Sequence, residues 1–149
     1  MNPIKTIVCP TDFSECSEAA LVVALDLALK LGSKIELVHV LQIPIYVGWE
    51  DSPAGLAASQ QLLGESRTRV QKQLEASAAK VAEQGVAITV QQLEGTPHVK
   101  IAELSQQADL VVLGTHGRTG LPHLLLGSVA ERVVRTARCP VMTVPLRKH

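Results

Sequence analysis

Aromatic residues are almost missing from this chain: 149 residues contain one Phe, one Tyr and one Trp. So few rings leave little with which to stack unpaired bases, which argues against single-stranded nucleic acid as a partner. An excess of charge is missing too. Fourteen Lys and Arg residues balance fourteen Asp and Glu, so there is no basic footprint of the kind that neutralises a phosphate backbone or an anionic bilayer. Cysteine is scarce and unpaired in pattern: Cys9, Cys16 and Cys139 contain no CxxC, and an odd number does not make a disulfide framework. No apolar run approaches the roughly 20 residues of a membrane span. The opening MNPIKTIVCP lacks the charged region, apolar run and cleavage site of a leader. These absences predict a cytoplasmic protein with no nucleic acid and no membrane among its partners.

What is present is core-forming material. Apolar residues make up 46% of the chain, enough for one ordinary domain spanning 1–149. Ile4 to Val8 reads as a strand closed by Pro10. The helix that follows has Ala20, Val23, Ala24, Leu27, Ala28 and Leu31 on one face, with Ser14 or Ser17 as its cap and Gly32 as its stop. Ile35 to Val40 is a second strand, which completes a βαβ unit with parallel strands.

Residues 41–60 carry two prolines and two glycines and read as a long connection, either a lid or a plain surface loop. A second amphipathic helix is expected over Gln61–Gln84, with Val70, Leu74, Ala78 and Val81 inward and Gly85 as the stop. Val86–Gln92 is the third strand. Thr96 and Pro97 then open a short helix running to about Gln107. The continuous apolar run Leu110–Leu113 is a strand covered on both faces. A last helix from Ser128 and a strand over Pro140–Val144 complete the order. The pattern predicts an α/β fold, an open five-stranded parallel sheet with helices on both faces, Rossmann-like in its winding.

The segment GTHGRTGLPHLLLGSVAERVV, residues 114–134, is unusually rich in glycine for the approach to a helix. In open parallel sheets ligands bind outside the carboxyl ends of the strands, and Gly114 stands at such an end. Glycines permit positive φ and close approach, so a run of amides could turn inward as an anion-binding nest. The free amides of the helix at Ser128 add a positive pole, and the Ser128 hydroxyl could both cap that helix and reach a phosphate oxygen. There is no GxxxxGK[ST], and GxxGxxG is not the GxGxxG of dinucleotide sites, so the common phosphate loops do not fit.

The spacing Gly114, two residues, Gly117, nine residues, Gly127, Ser128 does resemble the signature of the universal stress protein family, in its nucleotide-binding branch. The likeness extends through IVCPTDFSE, LVHV, DLVVLGTHGRTG and GSVAERVVRTARCPVMTVP. It implies ATP as the cofactor, accompanied by Mg2+ held mostly by phosphates and water. It also implies a pose, with base and ribose against Pro10, Thr11, Asp12 and Val40. Leu113 and Gly114 would flank the ribose, and Gly117, Arg118, Gly127, Ser128 and Val129 would cradle the phosphates. A homodimer paired through the last strand, residues 140–145, is implied as well, in keeping with an apolar edge at Val141, Met142 and Val144.

Several residues carry a second reading. Asp12 could cap the first helix, Arg118 could be a solvated loop residue, and His39 reads as a packed or capped histidine. His116 and His123 lack a spaced third ligand for a metal. Nothing in the sequence places a base beside a terminal phosphate, as fast phosphoryl transfer requires. The sequence therefore favours a regulatory binder with slow or absent hydrolysis, and leaves open a weak ATPase or self-phosphorylating protein and a nucleotide-independent interaction module.

Overall fold

The structure, a computed structural model, describes residues 2–43, 52–117 and 125–147. Five strands and four helices alternate along it: β1 (Thr6–Pro10), α1 (Glu15–Leu31), β2 (Lys34–Leu41), α2 (Pro53–Ala82), β3 (Ile88–Glu94), α3 (Pro97–Leu104), β4 (Leu110–Gly114), α4 (Ser128–Thr136) and β5 (Val141–Val144). The strands form one sheet in the order β3-β2-β1-β4-β5, and all four pairings are parallel. The chain first winds outward through β1, β2 and β3, then returns to the other side of β1 for β4 and β5. The winding direction therefore reverses between β1 and β4.

Alternation along each strand sorts the core into two layers. Ile7, Cys9, Ile35, Leu37 and Val112 point toward α1 and α2, where they meet Ala20, Ala24, Ala28, Val70 and Leu74. Val8, Val38, Val40, Val111 and Leu113 point the other way, toward Ile101 of α3 and Ala130 and Val133 of α4. The face of α1 is thus lined by alanines four residues apart, which lets that helix lie close to the sheet. Leu31, expected on the same face, is 49% exposed because it ends the last turn beyond the sheet. Leu74 is fully buried, and truncating it to Ala would destabilise the fold by about 2–5 kcal/mol.

Local chemistry sets the ends of the elements. Ser14 caps α1 by accepting the Ser17 amide at 3.2 Å, so of the two candidate serines the earlier one does the work. Gly32 stops the helix in the left-handed region at φ 68°, where a side chain would be strained. The expectation of a connection over 41–60 is overturned for its second half. Ser52 accepts the Gly55 amide and Pro53 occupies the first turn, so α2 starts there and runs 30 residues. Ser52 and Pro53, taken in sequence as loop formers, are a cap and an N1 proline. Residues 44–51, the rest of that stretch, lie outside the described residues.

The remaining boundaries shift by at most three residues. β1 and β3 lie two residues later than expected, and α3 ends at Leu104 rather than near Gln107. Thr96 holds the cap position of α3, but its side chain makes no capping hydrogen bond. β5 lies at one edge of the sheet, with Met142 38% exposed and Val144 buried.

Candidate functional site

The crevice opens where β1 and β4 part. Hydrogen bonds from Thr11 N to Val38 O and from Asp109 N to Thr6 O show that odd residues of β1 face β2 and even ones face β4. Pro10 should therefore donate toward β4, and as a proline it has no N–H to donate. The β1–β4 register runs only over Ile7 and Val8, while the β1–β2 register reaches Pro10. Strand β2 continues past the end of β1. The same alternation turns the backbone of Val40 toward the space that β1 has vacated.

The loop from β1 to α1 is pinned at nearly every residue. The Thr11 hydroxyl accepts the Phe13 amide at 3.0 Å and lies 3.1 Å from Ser17 Oγ. Asp12 Oδ1 accepts the Ser14 amide at 3.0 Å and also the Ser14 hydroxyl. Asp12 thus turns the chain into the helix while Ser14 caps it. Between them Phe13 has φ 63°, the one non-glycine with positive φ among the described residues. Such a conformation in a bulky residue costs about 1–3 kcal/mol and persists only where its surroundings over-determine it. His39 supplies part of that constraint: its Nδ1 lies 2.7 Å from Thr11 O, and its ring stacks on Phe13 at 5.0 Å. Because a carbonyl can only accept, Nδ1 carries the proton.

The motif glycines are needed for contact and not for left-handed backbone. Positive φ among the described glycines is confined to Gly32, Gly85 and Gly95, so Gly114, Gly117 and Gly127 do not themselves supply the left-handed backbone expected of a nest. A Cβ on Gly114 would sit 2.9 Å from the backbone of Cys16, in the first turn of α1. On Gly117 it would lie 2.6 Å from Asp12 Oδ2, and on Gly127 3.1 Å from Thr115 O. Gly127 also donates its amide to Thr115 O. The three positions therefore bring β4 against the first turn of α1, Gly117 against the β1–α1 loop, and the start of α4 against the turn that follows β4. Thr115, 6% exposed, sits beneath, with its hydroxyl 3.0 Å from His116 Nδ1 and 3.8 Å from Cys16 Sγ.

Helix α4 enters this arrangement differently from expectation. Gly127, with φ −68°, is its N-cap residue and Ser128 its first helical residue, so the Ser128 hydroxyl is not the cap. Gly127 brings no side chain of its own to cap the helix, and the first turn, with the positive end of the helix dipole, lines the crevice at Ser128 and Val129.

The result is a cleft of about 660 Å3, within the usual range for small-molecule sites. Its lining includes Pro10, Thr11, Asp12 and Val40 from the first two strands, Leu113, Gly114 and Gly117 from β4 and its turn, and Gly127, Ser128 and Val129 from α4. Ten of the eleven residues singled out in the sequence are thereby brought together, and Arg118 lies outside the described residues, as does His123. The lining is apolar at Val40, Ile101, Leu113 and Pro97 and polar at Asp12, Thr11, Ser17 and Ser128. Asp12 is the one carboxylate among the described lining residues.

Sequence reasoning did not place Ser17, His39 or Thr115 at the cleft. The position of His39 beside the end of β1 was foreseeable only with the strand register in hand, and Thr115 carried no signal. Cys9 is fully buried beneath the site, and burial pushes its thiol pKa up to about 12, so it stays a neutral core residue. Among the described residues no three His, Cys, Asp or Glu side chains gather to hold a metal ion, and no helix is long and apolar enough to cross a membrane.

Comparison with known proteins places the chain. The model of the Universal stress protein family matches residues 3–145. Universal stress protein MJ0531 of Methanocaldococcus jannaschii is 38% identical over 146 residues, covering 96% of this chain and 83% of that protein. Among solved structures, the protein MJ0577 from the same organism superposes with a TM-score of 0.85 at 25% identity, covering 99% of this chain and 100% of its own. A universal stress protein in complex with cAMP gives a TM-score of 0.71 at 22% identity, over 97% of this chain and 98% of that one.

Proposed function

Because this chain belongs to the universal stress protein family, we propose that it is a regulatory protein that holds an adenine nucleotide, ATP with Mg2+, in the cleft between β1 and β4. One observation carries this reading: a helix N-terminus whose N-cap is a glycine lines the same cleft as Gly117, which lies against Asp12. Such an end favours an anion. Gly117, Gly127, Ser128 and Val129 hold the phosphates, joined by Arg118, whose charge no backbone amide can supply. The base lies against the apolar lining beside Val40, and the ribose lies between Leu113, Gly114 and the Pro10–Asp12 loop, where the Asp12 carboxylate accepts from its hydroxyls. The complex of a family member with cAMP supports adenine as the base.

A cation fits on limited terms. Asp12 is the sole carboxylate among the described lining residues, and its Oδ1 already serves Ser14. The residues therefore suit an ion held through phosphates and water, as Mg2+ prefers, and not a protein cage. Bound in that way, Mg2+ would neutralise phosphate charge that the backbone only partly balances. The function is binding in a reducing cytoplasm, and any hydrolysis is slow. Residues 1–149 act as one such domain, and two copies pair along 140–145, where β5 leaves an edge and Met142 exposed.

The test is calorimetric titration of the purified protein with ATP and Mg2+, with mass spectrometry of any small molecule released on denaturation. The expected result is recovered adenine nucleotide or saturable micromolar binding. A protein that comes empty and ignores millimolar ATP overturns the reading. Light scattering at micromolar concentration checks the dimer, and a monomeric mass rejects it.

A further inference from the structure

Phe13 departs from ordinary backbone at the point where the β1–α1 loop presents Asp12 to the cleft. Its φ of 63° must be imposed by contacts. Several constraints meet there: the Thr11 hydroxyl on the Phe13 amide, Asp12 Oδ1 on Ser14, and, from β2, His39 and the Val38 carbonyl that accepts the Thr11 amide. The first two lie within the loop and would travel with it. His39 is anchored elsewhere, in β2, whose register with β1 and β3 is fixed on both sides. It holds the loop at two points that flank Asp12, the carbonyl of Thr11 by a 2.7 Å hydrogen bond and the ring of Phe13 by stacking.

We infer that His39 is a positioning residue for the nucleotide site: by gripping Thr11 and Phe13 from β2, it sets the direction of the Asp12 carboxylate. That direction matters because Asp12 Oδ2 occupies the space where Gly117 would carry a Cβ. The placement of Asp12 and the path of the glycine turn thus depend on each other. The inference rests on the nucleotide reading of the cleft for its consequence, while its geometric core concerns the loop alone.

Three variants separate the roles of the ring. His39→Asn keeps a donor near the Nδ1 position and loses the stack. His39→Phe keeps an aromatic face and loses the donor. Phe13→Gly removes the need for a contact to impose positive φ, since glycine adopts it freely. The first measurement needs no ligand: amide hydrogen exchange over residues 11–14, with thermal unfolding to confirm that each variant is folded. Exchange should rise at least tenfold in His39→Phe and stay within about threefold of the parent in His39→Asn. Unchanged exchange in His39→Phe overturns the inference whether or not the protein binds nucleotide.

The second measurement is ATP affinity with Mg2+. His39→Phe should weaken binding about tenfold, and His39→Asn should restore most of it. In the Phe13→Gly background the effect of His39→Phe should shrink to threefold or less. An undiminished effect in that background would mean that His39 touches the nucleotide directly, and would overturn the positioning role. Absence of ATP binding by the parent protein refutes the nucleotide reading instead, and leaves the exchange result to decide the loop.

Discussion

Replacing Gly114 with alanine should test whether the first glycine of the motif serves the fold and not the ligand. The added Cβ would stand 2.9 Å from the C, O and Sγ atoms of Cys16, whereas carbon contacts become comfortable only at about 3.5 Å. Strand and helix must therefore separate by roughly half an ångström. Neither side gives easily. Cys16 is in the first turn of α1, held by the Ser14 cap, and β4 is paired on both sides by β1 and β5. Overpacking of this kind destabilises by about 1–3 kcal/mol, and in a chain of this size each kcal/mol lowers Tm by roughly 2–4 °C. The assay is equilibrium urea unfolding, read as a lower midpoint at unchanged slope. Gly64→Ala is the matched control. Gly64 lies inside α2 with open space where its Cβ would go, so the same change there should stabilise by about 0.5–1 kcal/mol. A Gly114→Ala protein within about 0.5 kcal/mol of the parent, inside the range of an ordinary surface change, would refute the contact argument.

Gly117→Ala should behave in the opposite way, because its Cβ would meet the tip of the Asp12 side chain and not backbone. Little change in Tm is expected, with ATP affinity lowered about tenfold or more, corresponding to about 1.4 kcal/mol. Asp12→Ala removes the clashing oxygen, so in that background the glycine change should have almost no further effect, and strictly additive losses would contradict the geometry. Asp109 accepts the amides of Lys5 and Thr6, both at 2.9 Å, and these bonds hold its carboxyl below the ordinary value. A depressed carboxylate stabilises the fold fully above its unfolded pKa of about 3.9 and loses that contribution as pH falls toward the lower folded value. Asp109→Asn should therefore be less stable than the parent at pH 6, with the gap narrowing as pH falls below about 4. A gap of constant size across that range would show that the charge plays no part.

Much of the fold was legible before any coordinates, and for identifiable reasons. The alanines of α1, the stop at Gly32 and the apolar run of β4 are local signals, each set by residues within one or two turns of one another. The order of strands and helices followed from period alone, and parallel pairing followed from the helices between strands. Where expectation failed, a local signal had two meanings. Ser52–Pro53 could break a chain or open a helix, and in the fold they open one, with Ser52 accepting the Gly55 amide and Val70 and Leu74 of the same helix packed against the sheet. Ser128 looked like a cap, yet Gly127 O accepts the Glu131 amide, which puts the cap one residue earlier.

The spacing of the glycines and Ser128 by itself determined that a turn after β4 leads into a helix N-terminus, and with it the family. It could not say what each glycine is for, because that depends on atoms far away in sequence. Gly114 answers to Cys16 and Gly117 to Asp12, about a hundred residues earlier in the chain. The strained Phe13 and its hold by His39 belong to the same class. Periodicity and capping are properties of neighbours along the chain, whereas close approach is a property of surfaces that meet only when β1 and β4 lie side by side. Tertiary structure alone therefore decided how the cleft is built, from residues whose types the sequence had already made conspicuous.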